Sequence, residues 1–365
     1  MSLPLPREIL SSVRSSCASV SLPVDPTAID DFIHSVSEPD WNRLSQNHGV
    51  RLPLKFDTPL VELNFLATLG LLNFLSGYRQ TLHRLTGRGA YSTILSLLLS
   101  DYLSSSSPSS SILSTRGMLN CTPSSLAQLA QIQTHAEKDH PTLGPAVRVG
   151  TKDEEAFEVL ELLEGVLKET GRVLEGLEME NLGEWIAREL ERCSGDSSAM
   201  IHSMATTFPA FKDVHIVRTI EGGEDTTVYL FKKALWTLNA IYSRFSPNDQ
   251  DEESKLKLGF PVPRGIKEFP IFADNVIPSL LIHYKILPSS TTSSSSTILR
   301  ASSVNACHLI VQRAHELAAV EEKGKGWLRD WNEVGLDGYL WSLAKEGGRR
   351  EGVQRVVEER GTIYY

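Results

Sequence analysis

The chain has 365 residues but few cysteines: Cys17, Cys121, Cys193 and Cys307. They lie far apart in sequence, so no pair has the spacing of a zinc site or a redox dithiol. This predicts a reduced intracellular protein with incidental thiols rather than a disulfide framework. Basic residues are in deficit, with Lys+Arg 36 against Asp+Glu 45 and a net charge of -9. Binding along a duplex draws on counterion release at clustered Lys and Arg, so a general polyanion binder is excluded. Any link to nucleic acid should run through a small piece such as a nucleotide. A long apolar run is also missing, because the most apolar stretch, 60–75, carries Glu62, Asn64 and Asn73. That composition predicts a buried core helix rather than a bilayer span. The first twenty residues are Ser-rich with two arginines, but Glu8 interrupts them and no apolar core follows. They read as neither a signal nor a transit peptide, and the expected location is cytoplasmic. There is no internal repeat, P-loop, GxGxxG opening a helix, HExxH or GxSxG.

What is present is mainly helical periodicity. Phe157, Leu160, Leu163, Leu167, Val173, Leu177, Leu182, Ile186 and Leu190 recur at three- and four-residue steps, with interruptions near Gly171, Gly176 and Gly183. Two or three amphipathic helices are expected there. Similar patterns cover 61–78, 91–103, 124–135, 228–245, 278–287, 304–320 and 336–345. Only 215–220, ahead of Gly222 and Gly223, alternates like a strand. The fold class is therefore mostly α with a minor β element. The apolar share of 41% is enough for a well-buried core. The Ser-rich tracts at 104–111 and 289–297 and the acidic stretch 246–255 read as flexible insertions in a single compact domain, 1–365. The Thr86-Gly87-Arg88-Gly89 turn suits either an anion cradle at a helix entry or a plain interhelix connection.

Chemistry is concentrated in polar residues set into apolar sequence: FPAFKD (208–213), VYLFKKA (228–234), FPIFADNVIP (269–278), LDGYLW (336–341) and the terminal GTIYY. Asp274 and Asp337 each stand near an expected helix start. Each is thus either an N-cap or a ligand or catalytic group in a partly dry pocket. Phe272, Tyr339 and Trp341 lie on apolar faces, as core residues or as flat walls for a ring. Lys232 and Lys233 form either a solvated helix edge or a phosphate contact. His308 and His315 are seven apart, too far for a metal pair, and no metal is expected.

These five segments, in this order and with this C-terminal end, resemble the queuosine salvage family, the queuosine 5′-phosphate N-glycosylase/hydrolases that release the base queuine from its nucleotide. The likeness runs from about Phe208 to the C-terminus, with weaker echoes in 52–78 and after Glu154. It implies a helical, DNA-glycosylase-like architecture and a hydrolase acting on a ribosyl C–N bond, with no metal and no organic cofactor. It also implies a base contact at Phe272 and Asp274, an acidic residue supporting cleavage at Asp337, a wall at Tyr339 and Trp341, and a basic position at Lys232. Ser342 stands where the family has a second acidic residue, and it is kept among the substrate-binding candidates. Asn275 and Gly338 stand where an aromatic residue is common, and 76–89 looks particular to a divergent branch. The implied partner is a small modified purine nucleotide, with no duplex nucleic acid and no membrane, and the expected state is a monomer. The alternative function is a non-catalytic binder of a nucleoside or tRNA fragment. A DNA glycosylase, suggested by fold analogy alone, conflicts with the scarcity of basic residues.

Overall fold

A computed structural model describes residues 2–46, 54–105, 110–140, 142–218, 225–246, 258–289, 295–320, 325–345 and 359–365. Its residues form two compact units. The first comprises Met1–Pro59, Ala187–Thr207 and Phe211–Glu358, and the second Leu60–Ile186, Phe208–Ala210 and Glu359–Tyr365. Most of the insertions expected at 104–111, 246–255 and 289–297 lie outside the described residues.

The first unit holds helices α1 (Ile9–Ser19), α2 (Pro26–Ser35) and α3 (Glu38–Leu44). α1 buries Ile9, Val13 and Cys17, one residue per turn. Asp25 starts α2 by accepting the Thr27 amide at 2.9 Å, with Pro26 in the first turn, where a missing N–H costs nothing.

The second unit is built on α4 (Pro59–Leu71, from Leu60 onward), α5 (Arg79–Thr86), α6 (Ala90–Ser104), α7 (Thr115–Asn120), α8 (Pro123–Ala130) and α9 (Glu154–Gly176). α4 is buried without interruption from Glu62 to Leu71, the core helix expected of its composition. Its Asn64 spends both ends of the amide on backbone, donating to the Leu113 carbonyl at 2.8 Å and accepting the Gly183 N–H at 3.0 Å. Gly183 must lack a side chain, since a Cβ there would stand 2.5 Å from the Asn64 Cα. The turn at Thr86–Gly89 joins α5 to α6. Gly87, at φ 70, closes α5, and the Arg88 side chain donates to the Ser96 hydroxyl at 2.9 Å.

An antiparallel hairpin, β1 (His135–His140) and β2 (Gly144–Lys152), precedes α9. The helix expected over 124–135 stops at Ala130 with Gln131 at φ 57, and residues 131–134 lead into β1. α9 in turn runs straight through Gly171, where a break was expected. A Cβ on Gly171 would lie 3.1 Å from Leu119 Cγ, so this glycine serves the close approach of α7. The expected group of helices over 154–193 is thus α9 and α10 (Leu182–Arg192).

The rest of the first unit contains α11 (Ser197–Thr207), strands β3 (Val214–Val217) and β4 (Thr226–Tyr229), α12 (Lys232–Phe245), α13 (Val276–His283), α14 (Ser296–Val320) and α15 (Glu333–Leu343). The strand expected at 215–220 is β3, paired antiparallel with β4 in the register Val214 opposite Tyr229. Residues 219–220 lie outside the described residues. The helix expected from Val228 begins only at Lys232, because Val228 and Tyr229 belong to β4. α1 holds this strand, Ser16 Oγ accepting the Tyr229 amide at 3.2 Å. The architecture is mostly α, with two small two-stranded sheets among the described residues. No single helix among the described residues is long and apolar enough to cross a membrane. The four cysteines are free, and burial pushes the Cys17 thiol up to about 12.

Candidate active site

The site is assembled at the start of α12. Phe231 precedes this helix in the left-handed region, φ 51, a conformation that costs a bulky residue on the order of 1–3 kcal/mol. A neighbouring carboxylate compensates, since Asp213 Oδ2 accepts the Lys232 amide at 3.3 Å. A negative group at a helix N-terminus is well placed against the helix dipole. Lys232 and Lys233 are buried, at 5% and 1% exposure. This corrects the solvated-edge reading: α12 is buried from Lys232 to Ile241, so its first turn has no solvated side.

Burial lowers the Lys232 pKa to about 8, with Arg300 pushing the same way and Asp274, Asp213 and Asp337 opposing. Lys233 falls well below the ordinary lysine value, through burial and the nearby Lys232 charge. For Asp213, burial alone would raise the pKa. The Arg300 guanidinium and His215 outweigh it and hold the carboxyl well below the usual range. Arg300 binds both Asp213 oxygens, at 3.1 and 2.6 Å, and His215 Nε2 lies 2.7 Å from Oδ1.

The strap Phe272–Ala273–Asp274 crosses this region. The Phe272 amide donates to Asp337 Oδ1 at 3.1 Å, and the Ala273 carbonyl accepts from Arg300 Nε at 2.9 Å. Asp274 Oδ1 accepts the Val276 amide at 2.7 Å and the Ile277 amide at 3.4 Å, so the capping reading holds for Asp274. It does not hold for Asp337. α15 starts earlier, where Asn332 Oδ1 accepts the Gly335 amide at 2.9 Å, and Asp337 lies inside the helix with its side chain in the unit's interior. Burial raises the Asp337 pKa well above the ordinary value, and the Asp274 charge adds to this. The Phe272 amide and Lys232 oppose it.

The structure therefore brings Phe272, Asp274, Lys232 and Asp337 into one electrostatically coupled group. Trp341 stands four residues beyond Asp337, about 40° around the helix and so on the same face, with Lys345 Nζ 3.1 Å from its ring centroid. Tyr339 points elsewhere. Its ring lies 5.7 Å from Trp41 and 6.4 Å from Phe32, in an aromatic cluster completed by Trp331 stacked on Trp41. Ser342 is buried, with its hydroxyl donating to the Leu44 carbonyl at 3.4 Å. His308 and His315 serve separate partners, the Glu333 carboxylate at 3.0 Å and the Trp331 carbonyl at 2.8 Å. Among the described residues no group of three or more His, Cys, Asp or Glu side chains could hold a metal ion. The terminal Tyr365 is buried, its hydroxyl donating to Glu359 at 2.7 Å, and the Gly361 amide donates to the Tyr78 hydroxyl at 2.9 Å. The tail is thus packed within the second unit.

Sequence reasoning missed Arg300 and gave Asp213 no role, although Asp213 closes the FPAFKD segment. The available signal was a lone arginine between Leu299 and Ala301 in an otherwise uncharged helical stretch.

The family model for queuosine salvage protein matches residues 130–365, which take in every residue of this group. The chain belongs to the queuosine salvage protein family. No curated protein matches it. The family assignment gives a role in queuosine salvage and suggests an enzyme, and the match covers both hairpins and α9 to α15.

Proposed function

We propose that this queuosine salvage protein hydrolyses the N-glycosidic bond of queuosine 5′-phosphate, or a closely related modified purine nucleotide, and releases the base. The observation that carries the reading is the pairing of two carboxyl groups, Asp274 and Asp337, with the buried ammonium of Lys232, on segments that the family model covers.

Breaking a ribosyl C–N bond builds positive charge on the sugar while the base collects electrons. A carboxylate beside the anomeric carbon stabilises that cation and takes the proton of an attacking water. Asp337 fills this role. Its raised pKa makes its ionised form a stronger base than an ordinary aspartate, and cationic sugar relieves the penalty of its burial. Queuine is a 7-deazaguanine, so the ring nitrogen that purine glycosidases protonate is a carbon. Help to the leaving group must come at the guanine-like face. There Asp274 accepts the ring N–H and amine hydrogens, since capping α13 engages only Oδ1 and a carboxylate has about four lone-pair sites. Phe272 and Trp341 supply flat apolar surface, and Lys232 supplies the cation for the 5′-phosphate.

The test is incubation of the purified chain with queuosine 5′-phosphate, following the free base by mass spectrometry. Release by the parent protein and its loss in Asp337→Asn support the reading; no release, or full activity in the variant, sinks it. Stabilisation of the melting temperature by queuine or the nucleotide without product would instead identify a non-catalytic binder.

A further inference from the structure

Asp213, Arg300 and His215 have no part in the chemistry proposed above, yet Asp213 and Arg300 are almost completely buried, each at 1% exposure. We propose that the Asp213–Arg300 pair is the positioning element of the site, fixing the distance between Lys232 and the strap that carries Asp274. This rests on reading Lys232, Asp274 and Asp337 as the reacting group.

The geometry is specific. Arg300 reaches in two directions, to both oxygens of Asp213 at 3.1 and 2.6 Å and through Nε to the Ala273 carbonyl at 2.9 Å. Asp213 likewise reaches beyond its partner, accepting the Lys232 amide at 3.3 Å, while its own backbone carbonyl accepts the Leu230 amide at 3.0 Å. One planar fork therefore ties the start of α12 to the residue flanked by Phe272 and Asp274. Phe272 in turn holds Asp337. A movement of the guanidinium displaces Lys232 and Asp274 relative to each other. A lysine cannot substitute, because only a guanidinium presents donors in a rigid fork to a carboxylate and a third acceptor together. A buried ion pair is weak as a source of stability, since its desolvation offsets most of its attraction. Retaining one here is accounted for by placement.

The pair also acts on Lys232 with opposite signs. Asp213 favours its ammonium and Arg300 disfavours it, alongside Asp274 and Asp337, which favour it. Lys233 adjoins Lys232, and His215 bears on Asp213 from β3 at 2.7 Å. Loss of one partner should therefore shift the Lys232 titration in a direction set by which partner is lost.

The experiment uses the full chain with Arg300→Lys, Asp213→Asn and the double variant Asp213→Asn/Arg300→Gln. Steady-state kinetics on queuosine 5′-phosphate is combined with NMR titration of 13C-labelled lysine, the Lys232 signal being assigned by Lys232→Gln. Arg300→Lys keeps the charge but loses the fork. It should lower kcat by about 10- to 100-fold with KM changed far less, and displace the Lys232 resonance. Asp213→Asn should move the Lys232 midpoint below the parent value of about 8, and the double variant should return it toward 8 without restoring kcat. Unchanged kcat or an unmoved Lys232 resonance in Arg300→Lys overturns the proposal, as does an upward or absent shift in a folded Asp213→Asn. If Asp213→Asn does not fold, Arg300→Lys still decides. If the parent protein releases no base, the proposed reaction fails, while the NMR titration still tests the positioning role.

Discussion

Asp337 accepts the backbone N–H of Phe272 at 3.1 Å, which fastens α15 to the strap that presents Asp274. Two carboxyl groups on different elements are held close enough for the Asp274 charge to add to the burial that raises the Asp337 pKa. A carboxyl with a raised proton affinity next to a second carboxyl suits a reaction needing one base and one orienting acceptor. Lys232 moderates the repulsion, and both carboxylates help to hold its proton against the burial and the Arg300 charge that loosen it.

The first consequence is a bell-shaped dependence of kcat/KM on pH. The base form of Asp337 is needed, and its pKa lies well above the ordinary aspartate value, so activity rises only as pH passes that raised value. The ammonium of Lys232 is needed to bind the phosphate, so activity falls as pH rises through about 8. The two limbs belong to the coupled group as a whole. A rate profile flat from pH 6 to pH 9 would contradict this assignment.

Asp337→Asn should abolish base release yet make the protein harder to melt at neutral pH. Asn keeps an acceptor for the Phe272 amide and removes a carboxyl whose ionised form is penalised by burial. The sign follows from proton binding. Between the unfolded value of about 3.9 and the raised folded value, the folded parent binds more protons than the unfolded chain, so its stability declines as pH rises. Below that window both states are protonated and the parent suffers no such loss. The gain in melting temperature of Asp337→Asn over the parent should therefore be smallest near pH 4 and grow toward pH 8. A gain that shrinks with rising pH would show that the carboxyl is not penalised.

Much of this was legible in the sequence because local signals agreed with the fold. Glu62, Asn64 and Asn73 marked a core helix rather than a span, and the alternation after Asp213 marked β3. The FPIFADNVIP and LDGYLW segments pointed to Asp274 and Asp337. Other features were hidden because they depend on long-range partners. Helical spacing cannot reveal that the first turn of α12 is enclosed on every side, so Lys232 and Lys233 read as an edge. Arg300 is 87 residues from Asp213, and no local pattern links them. Tyr339 shows the converse limit. It lies two residues from Asp337, but a two-residue step on a helix turns about 200°, which carries its ring to Phe32 and Trp41. The hairpin β1–β2 was missed because its strand 135–140 is polar on both faces and its composition resembles a loop.

Asn332→Ala separates stability from chemistry on the helix that carries Asp337. The substitution removes the acceptor for the Gly335 amide at 2.9 Å, and loss of such a cap costs about 1 kcal/mol. Asn332 is five residues before Asp337 and contacts none of Lys232, Asp274 or Asp337 through its cap. Denaturant melts should show the loss, whereas the pH limbs of kcat/KM should stay in place. Limbs that move with this variant would mean that the start of α15 sets the proton affinity of Asp337.

Asp274→Asn is the sharpest test of the coupling because it preserves the cap while deleting the charge. An Asn Oδ1 still accepts the Val276 and Ile277 amides that Asp274 serves at 2.7 and 3.4 Å, so α13 should start as before. Without the negative charge, Asp337 loses its repulsive neighbour and its pKa falls. Lys232 loses the carboxylate that most favours its ammonium, and its pKa drops below about 8. Both limbs of the pH profile should therefore move toward acid together, whereas Asp274→Ala should produce the same movement plus a cap loss of about 1 kcal/mol in thermal or denaturant unfolding. Comparison of the two variants separates the electrostatic role of Asp274 from its structural one. If the profile of Asp274→Asn keeps the parent's limbs, Asp274 is a helix cap and nothing more, and the base-recognition role assigned to it fails.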